Sequence, residues 1–479
     1  VLDLTKAVGT EMTFTTMTRR DINGDGYADA IVGAYVAGPA DEGQAYVFLG
    51  SATGIADCTI GGGCADTTIT GETGGDKLGE SVSAGDVNGD GYEDIIVGAQ
   101  SAGADTEGQT YVFLGSATGI ADCTIGGTCT SLNATITGEA GVDSLGWSVS
   151  TAGDVNGDGY EDVIVGAYGA GTEGQAYVFL GSATGIADCT IGGTCTSLNA
   201  TITGETADDS LGYSVSTAGD VNGDGYEDVI VGAYGVGTDK GQAYIFLGSA
   251  TGIADCTIGG TCTSLNATLT GGTDGDWFGH SVSAGDVNGN GFDDVIVGAN
   301  KVGTNKGQVY VFLGSATGVA NCTIGAGCAD TTITGAADSS QFGISVSIAG
   351  DVNGDGYADA VVGAPGADAA YVFLGSANGM ENECDLAIPD ACTSLNATIA
   401  GSGATLGTLV SSAGDVDDDG YEDIIPGDPW WPPWDAKGRA YILMGSANGI
   451  LDCTIDAACP ALNATITGEE NGDSLGYVK

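Results

Sequence analysis

Seven short stretches of this 479-residue chain set oxygen-bearing side chains at fixed intervals. The phrase D-x-[ND]-x-[DN]-G-[YF]-x-D begins at Asp21, Asp86, Asp154, Asp220, Asp286, Asp351 and Asp415. Side chains at positions 1, 3, 5 and 9, with the carbonyl of position 7, supply the hard oxygens that Ca2+ takes in flexible geometry. Gly at position 6 permits the sharp turn. The expected ligand sets are Asp21, Asn23, Asp25, Tyr27 and Asp29; Asp86, Asn88, Asp90, Tyr92 and Asp94; Asp154, Asn156, Asp158, Tyr160 and Asp162; and Asp220, Asn222, Asp224, Tyr226 and Asp228. Three more follow: Asp286, Asn288, Asn290, Phe292 and Asp294; Asp351, Asn353, Asp355, Tyr357 and Asp359; and Asp415, Asp417, Asp419, Tyr421 and Asp423.

Asp, Asn and Gly also make ordinary turns. Turns alone do not demand carboxylates or amides at four fixed positions in seven copies. An EF-hand is excluded because position 12 is apolar, as at Val32 and Val97, where that motif needs Glu. The fifth loop, with Asn290, has the fewest carboxylates and is expected to bind most weakly; the seventh has four and is expected to bind tightly. The metal is expected to be structural, about seven calcium ions in all. No Ser/His/Asp set, acid/base cleft or phosphate loop stands out, so no catalytic residue is expected and the chain is not read as an enzyme. His280, the one histidine, falls in a strand and is read as structural.

The balance of 64 acidic to 10 basic side chains gives a net charge of −54. Such a surface repels phosphate backbones and anionic bilayers, which argues against nucleic-acid partners and membrane insertion. A halophilic origin would give a similar composition. No apolar run approaches the roughly 18 residues needed to span a bilayer. Fourteen cysteines fall into seven close pairs: Cys58 with Cys64, Cys123 with Cys129, Cys189 with Cys195, Cys256 with Cys262, Cys322 with Cys328, Cys384 with Cys392 and Cys453 with Cys459. Strict local pairing implies seven disulfides, each bridging a loop, and an oxidising, extracellular compartment. Zinc is disfavoured because no histidine accompanies the pairs and their usual spacing is wide for a zinc knuckle. Val1 in place of Met fits a removed signal peptide.

What positions the loops is a repeat of 64 to 68 residues. The third copy reads as four strands: Gly146 to Ala152, Asp162 to Ala167, Gly174 to Gly181 and Ala200 to Thr203. The second is apolar enough to be buried on both faces, and the fourth alternates with Ile202 inward. Helical periodicity is absent. Four short strands repeated seven times specify an all-β, seven-bladed propeller with four antiparallel strands per blade and an acidic loop between the first and second. A parallel β-helix is the runner-up, with repeats normally much shorter.

Phe278-Gly279 and Phe342-Gly343, the Leu-Gly pairs at Leu78, Leu145, Leu211 and Leu406, and Gly363-Ala364-Pro365 accompany the acidic loops. With these the chain resembles the FG-GAP repeats of integrin α-subunit propellers and related surface proteins, over nearly its whole length. The resemblance implies a seven-bladed propeller, calcium in the first hairpin of each blade, and extracellular interaction.

Three further features carry expectations. Asn-Ala-Thr at Asn133, Asn199, Asn266, Asn396 and Asn463, with Asn321-Cys322-Thr323, makes six N-glycosylation sequons, the alternative being a polar strand edge. Trp430, Trp431 and Trp434 lie on a Pro-rich insertion suited to contacting protein or glycan, or to packing locally. Val1 to Thr5 aligns with the outer strand of a blade, yet Asn463 to Gly468 also supplies that strand, and residues 469–479 continue as if starting another repeat. Residues 1–468 are taken as the propeller and 469–479 as an extension. One ring has room for one such strand, so the surplus suggests donation to a neighbouring copy and head-to-tail filaments. The leading expectation is an extracellular, calcium-stabilised structural or adhesive surface protein that self-assembles. A monomeric propeller binding protein or glycan is the alternative, and a secreted hydrolase is the weakest.

Overall fold

A computed structural model describes residues 20–479 apart from 140, 382, 389–390, 402–404, 430–436, 458, 470–474 and 476–479. The seven repeats build seven sheets arranged in a ring, a seven-bladed β-propeller. In the third blade the strands are Ser148–Gly153, Asp162–Ala167, Gln175–Phe179 and Leu198–Thr203, paired antiparallel in that order. The second strand is buried at all six positions, because sheets pack on both of its faces. The fourth alternates as expected, with Ala200 and Ile202 fully buried.

Each sheet gains a strand that the sequence did not suggest. The stretch read as a disulfide loop begins with a strand of two or three residues, and this pairs parallel with the outer strand of the preceding blade. Cys189–Thr190 pairs with Ile136 and Thr137, and Cys256–Thr257 with Ile202 and Thr203. The added strand covers what would otherwise be an exposed sheet edge.

All seven expected disulfides are formed. Cys58 is bonded to Cys64, Cys123 to Cys129, Cys189 to Cys195, Cys256 to Cys262, Cys322 to Cys328, Cys384 to Cys392 and Cys453 to Cys459. The two halves of each bond have different surroundings. The first cysteine of every pair lies on the added strand and is buried in the seam. The second lies beyond that strand, nearer solvent: Cys64 and Cys328 are exposed, and Cys129, Cys195, Cys262, Cys392 and Cys459 are half-buried. Each bond therefore ties a surface loop to the strand that seals the edge. Alone, a two-residue strand would have little to hold it there.

The inner edges are closed differently. First strands line the axis, where no further strand can pair with them. Serine hydroxyls accept the outward-facing N–H groups instead: Val149 N donates to Ser81 Oγ at 3.0 Å, Val215 N to Ser148 Oγ at 3.1 Å, Val282 N to Ser214 Oγ at 3.1 Å and Val410 N to Ser345 Oγ at 3.1 Å. The recurrent Ser-Val-Ser of the first strands is thus a staple between neighbouring blades. Apolar side chains from adjacent sheets interdigitate in seven clusters, one per seam.

The seam between the seventh and first blades shows how the ring closes. Leu462–Thr467 is the outer strand of the seventh blade, and Cys58–Thr59 of the first repeat pairs with it. Leu475 then bridges to Gly438 as Leu78 does to Gly43, Leu145 to Gly108 and Leu211 to Gly174. It is fully buried among Val32, Ala34, Tyr46, Ile442 and Ile466. The first repeat has no Leu-Gly of its own, and the extension at the end of the chain supplies that leucine. Val1 to Thr5, the other candidate for the outer strand, lies outside the described residues.

Candidate metal centre in the acidic hairpins

The hairpin between first and second strands is held open by its own carboxylates. In the second blade Asp86 Oδ1 accepts the N–H groups of Gly89 (2.7 Å) and Asp90 (3.1 Å), and Oδ2 accepts that of Gly91 (2.9 Å). Asn88 Oδ1 accepts Asp90 N at 2.8 Å, while Asp90 Oδ1 accepts Tyr92 N at 3.0 Å. Positions 1, 3 and 5 therefore gather on one small loop, bonded to its backbone. The ninth residue does something the sequence did not reveal. Asp94 is fully buried; Oδ2 accepts Val87 N at 3.0 Å and Oδ1 accepts Gly115 N at 2.8 Å, at the end of the third strand. Asp29, Asp162, Asp228, Asp294, Asp359 and Asp423 repeat this staple. Burial pushes the Asp94 carboxyl up to about 7 and that of Asp162 up to about 8, even though the backbone N–H bonds favour the ionised form. Each oxygen keeps a second lone pair for an ion.

The fifth and seventh hairpins depart from the common pattern where their sequences do. Elsewhere the position-3 amide donates to the position-5 carboxylate, as Asn88 Nδ2 does to Asp90 Oδ2 at 3.0 Å. With Asn290 at position 5, Asn288 Nδ2 turns to Asp294 Oδ1 at 3.4 Å instead. In the seventh, Asp415, Asp417 and Asp419 bring carboxylate oxygens within 4.8 Å of one another. Asp417 Oδ1 is buried and has no hydrogen-bond partner among the described residues. Partial burial, reinforced by the neighbouring carboxylates, raises the pKa of Asp417 and Asp419. A crowded set of oxygens with one buried acceptor unsatisfied fits a hard divalent cation.

Neighbouring hairpins touch. The aromatic residue at position 7 lies over the glycine at position 4 of the preceding hairpin; a Cβ on Gly89 would fall 2.8 Å from the Tyr160 ring. The N–H of position 8 donates to the position-1 carbonyl of the preceding hairpin, from Glu93 to Asp21 at 3.1 Å and from Glu161 to Asp86 at 3.1 Å. Ala28 closes the circle by donating to Asp415 at 3.0 Å.

An axial cavity of about 460 Å³ runs between the first strands. At the hairpin end it meets Arg20, Glu93 and Glu161. The Arg20 guanidinium donates to Ser412 O at 2.6 Å, and burial raises the pKa of both glutamates. At the opposite end sits an aromatic patch that the sequence reading missed, because its members are scattered over three repeats. Trp147, Tyr168, Tyr213, Tyr234, Trp277 and His280 form a continuous set of rings with neighbouring centroids 4.6 to 5.9 Å apart. Lys301 Nζ lies 4.2 Å from the Trp277 ring centroid. His280 belongs to this patch and its Nδ1 lies 3.1 Å from Ile344 O. The corresponding first-strand positions elsewhere are Glu80, Ile344 and Thr408, so the blade does not need an aromatic residue there. Trp430, Trp431 and Trp434 lie outside the described residues.

Fold and hairpins together define a disulfide-stapled propeller with an acidic first hairpin in every blade. The FG-GAP repeat family model matches residues 15–48, 78–113, 145–179, 211–246, 278–312 and 342–379. The chain is an FG-GAP repeat propeller of the integrin-α-like kind. The structure adds a seventh blade beyond those six matches, the one carrying Asp417 and Asp428 in place of the usual Asn and Ala. Integrin alpha-PS2 of Drosophila melanogaster is 32% identical over 237 residues, 46% of this chain and 15% of that protein. Integrin alpha pat-2 of Caenorhabditis elegans is 30% identical over 258 residues, 48% of this chain and 18% of that one. The chain thus spans less than a fifth of the length of these relatives. Among solved structures, the periplasmic gluconolactonase PpgL of Pseudomonas aeruginosa gives a TM-score of 0.47 at 12% identity, covering 92% of this chain and 99% of that one. A likeness that distant says nothing about chemistry.

Proposed function

We propose that the chain is an extracellular adhesion module: a propeller locked by calcium in its seven hairpins, which presents its opposite end to a protein or glycan. The disulfides and the integrin α relatives support the compartment and the adhesive role. The ligand sets are those named above, with the position-9 aspartates serving as both staple and ligand. Calcium supplies charge neutralisation among clustered carboxylates. The protein's own part is to hold those oxygens with backbone N–H groups and to pass the constraint from hairpin to hairpin. The observation that carries a binding role is the six-ring patch, which the repeat does not require. Binding to extracellular proteins and a glycan array, measured in calcium and in EGTA, tests it. Loss of binding in Trp147→Ala and Trp277→Ala, with the melting midpoint kept, is expected; undiminished binding would overturn it.

A second reading is assembly into filaments by strand exchange. It rests on Val1 to Thr5, which aligns with an outer strand whose place Leu462–Thr467 already fills. Particles larger than one chain that disappear on deletion of residues 1–5 would establish it. A single-chain mass at high concentration would dismiss it.

A further inference from the structure

Six sequons look alike in the sequence, but the fold uses them in two ways. Asn199 opens the outer strand of the third blade and turns its carboxamide onto the Ser-Ala-Thr-Gly turn of the next repeat. Its Nδ2 donates to Thr251 O at 2.9 Å and its Oδ1 accepts Ile253 N at 2.8 Å. Asn133 makes the same pair with Thr184 O and Ile186 N, Asn266 with Thr317 O and Val319 N, and Asn463 with Thr53 O and Ile55 N across the closing seam. Asn396 donates to Asn448 O at 3.0 Å. The two backbone groups flank a single glycine. A Cβ on Gly252 would fall 2.4 Å from Asn199 Oδ1, so the carboxamide meets the backbone edge-on. The Ala and Thr of each triplet follow from strand alternation, with Ala200 fully buried and Thr201 facing out.

A carboxamide that holds a C=O and an N–H flanking one residue does so along a single edge, using the Nδ2 hydrogen on the oxygen's side. An N-linked sugar replaces that same hydrogen, because the linked amide is trans; keeping both sugar and clamp would need the disfavoured cis amide. Asn321 is different. It occupies the place that Asp188, Asp255 and Asp452 hold in sister repeats, and it is exposed. Its Oδ1 accepts Thr268 N at 2.7 Å, as Asp255 Oδ1 accepts Thr201 N at 2.9 Å. Aspartate has no N–H to give, so the fold asks nothing of the Asn321 Nδ2.

We propose that Asn321 is the one asparagine of the six that carries an N-linked glycan in the folded protein, and that the Asn-Ala-Thr asparagines are clamps between blades that stay unmodified. The proposal rests on the extracellular reading above. Its test is independent of the native compartment, because a eukaryotic secretory host supplies the pathway. The full chain is secreted from such cells, and the folded fraction is treated with peptide N-glycosidase in heavy-oxygen water and mapped by mass spectrometry. Labelled Asp at position 321 alone is expected, and Thr323→Ala should remove the whole glycan mass. Label at Asn133, Asn199, Asn266, Asn396 or Asn463 in the folded fraction, or none at Asn321, overturns the proposal. Unmodified protein adds a second check. Asn321→Asp should leave the melting midpoint unchanged, whereas Asn199→Asp, which sets a carboxylate against Thr251 O, should lower it by about 2 °C or more. Equal midpoints overturn the clamp. Formation of the seven disulfides is scored separately, so failure of the extracellular reading is told apart from failure at Asn321.

Discussion

Leu475 lies in the stretch that follows the outer strand of the seventh blade. Here it is fully buried in the seam between the last and first blades, against Val32, Tyr46, Ile442 and Ile466. Leu475→Ala removes three carbons from a packed site, and such truncations cost about 2–5 kcal/mol. Leu145→Ala is the internal control, because Leu145 is equally buried and makes the same kind of bridge, to Gly108. Urea unfolding in saturating calcium, followed by near-ultraviolet circular dichroism and tryptophan fluorescence, gives both changes from the shift in midpoint at constant slope. Losses for the two variants should agree within about 1 kcal/mol, given the usual spread for such sites. A Leu475 that does not pack in the seam would lose less than about 0.5 kcal/mol on truncation to Ala, the level of an ordinary surface substitution. That result, with Leu145→Ala still costly, would refute closure of the ring through the end of the chain.

Two further outcomes follow from the hydrogen bonds. Ser148→Ala leaves the buried Val215 N–H without its acceptor and should cost about 1–3 kcal/mol, seen as a lowered urea midpoint. Asn290→Asp restores the third carboxylate of the fifth hairpin, whereas Asp417→Asn removes one from the seventh. In limiting calcium the first should raise the melting midpoint and the second lower it, and both differences should vanish in EGTA.

Much of this molecule was legible in its sequence because each repeat solves the same local problem. Asp162–Ala167 reads as a strand buried on both faces since every residue from Val163 to Val165 is apolar. The acidic loops announce themselves by spacing, and the cysteines by pairing. What stayed hidden depends on neighbours distant in sequence. Cys189–Thr190 gives no periodic signal in two residues, and only the outer strand of the preceding blade makes it a strand. The unequal burial of Cys189 and Cys195 follows from that same pairing, so their spacing alone did not disclose it. Asp94 looked like one more ligand, but its bond to Gly115 N spans 21 residues and shows a second duty. Asn199 reads in the sequence as a sequon, and its bonds to Thr251 O and Ile253 N on the next repeat give no local signal. Leu475 looked surplus until the ring placed it where the first repeat lacks a leucine. The aromatic patch joins Trp147 to His280 across three blades, a proximity no local window contains.

Native mass spectrometry of the disulfide-intact chain, sprayed from millimolar calcium and again after EGTA, tests the central claim most directly. A folded species holding about seven calcium ions is expected, one per acidic hairpin, with the fifth lost first as calcium falls. The melting midpoint should fall after chelation, since an ion that binds only the folded form stabilises it. A chain that stays metal-free at millimolar calcium and melts at the same temperature in EGTA would contradict it.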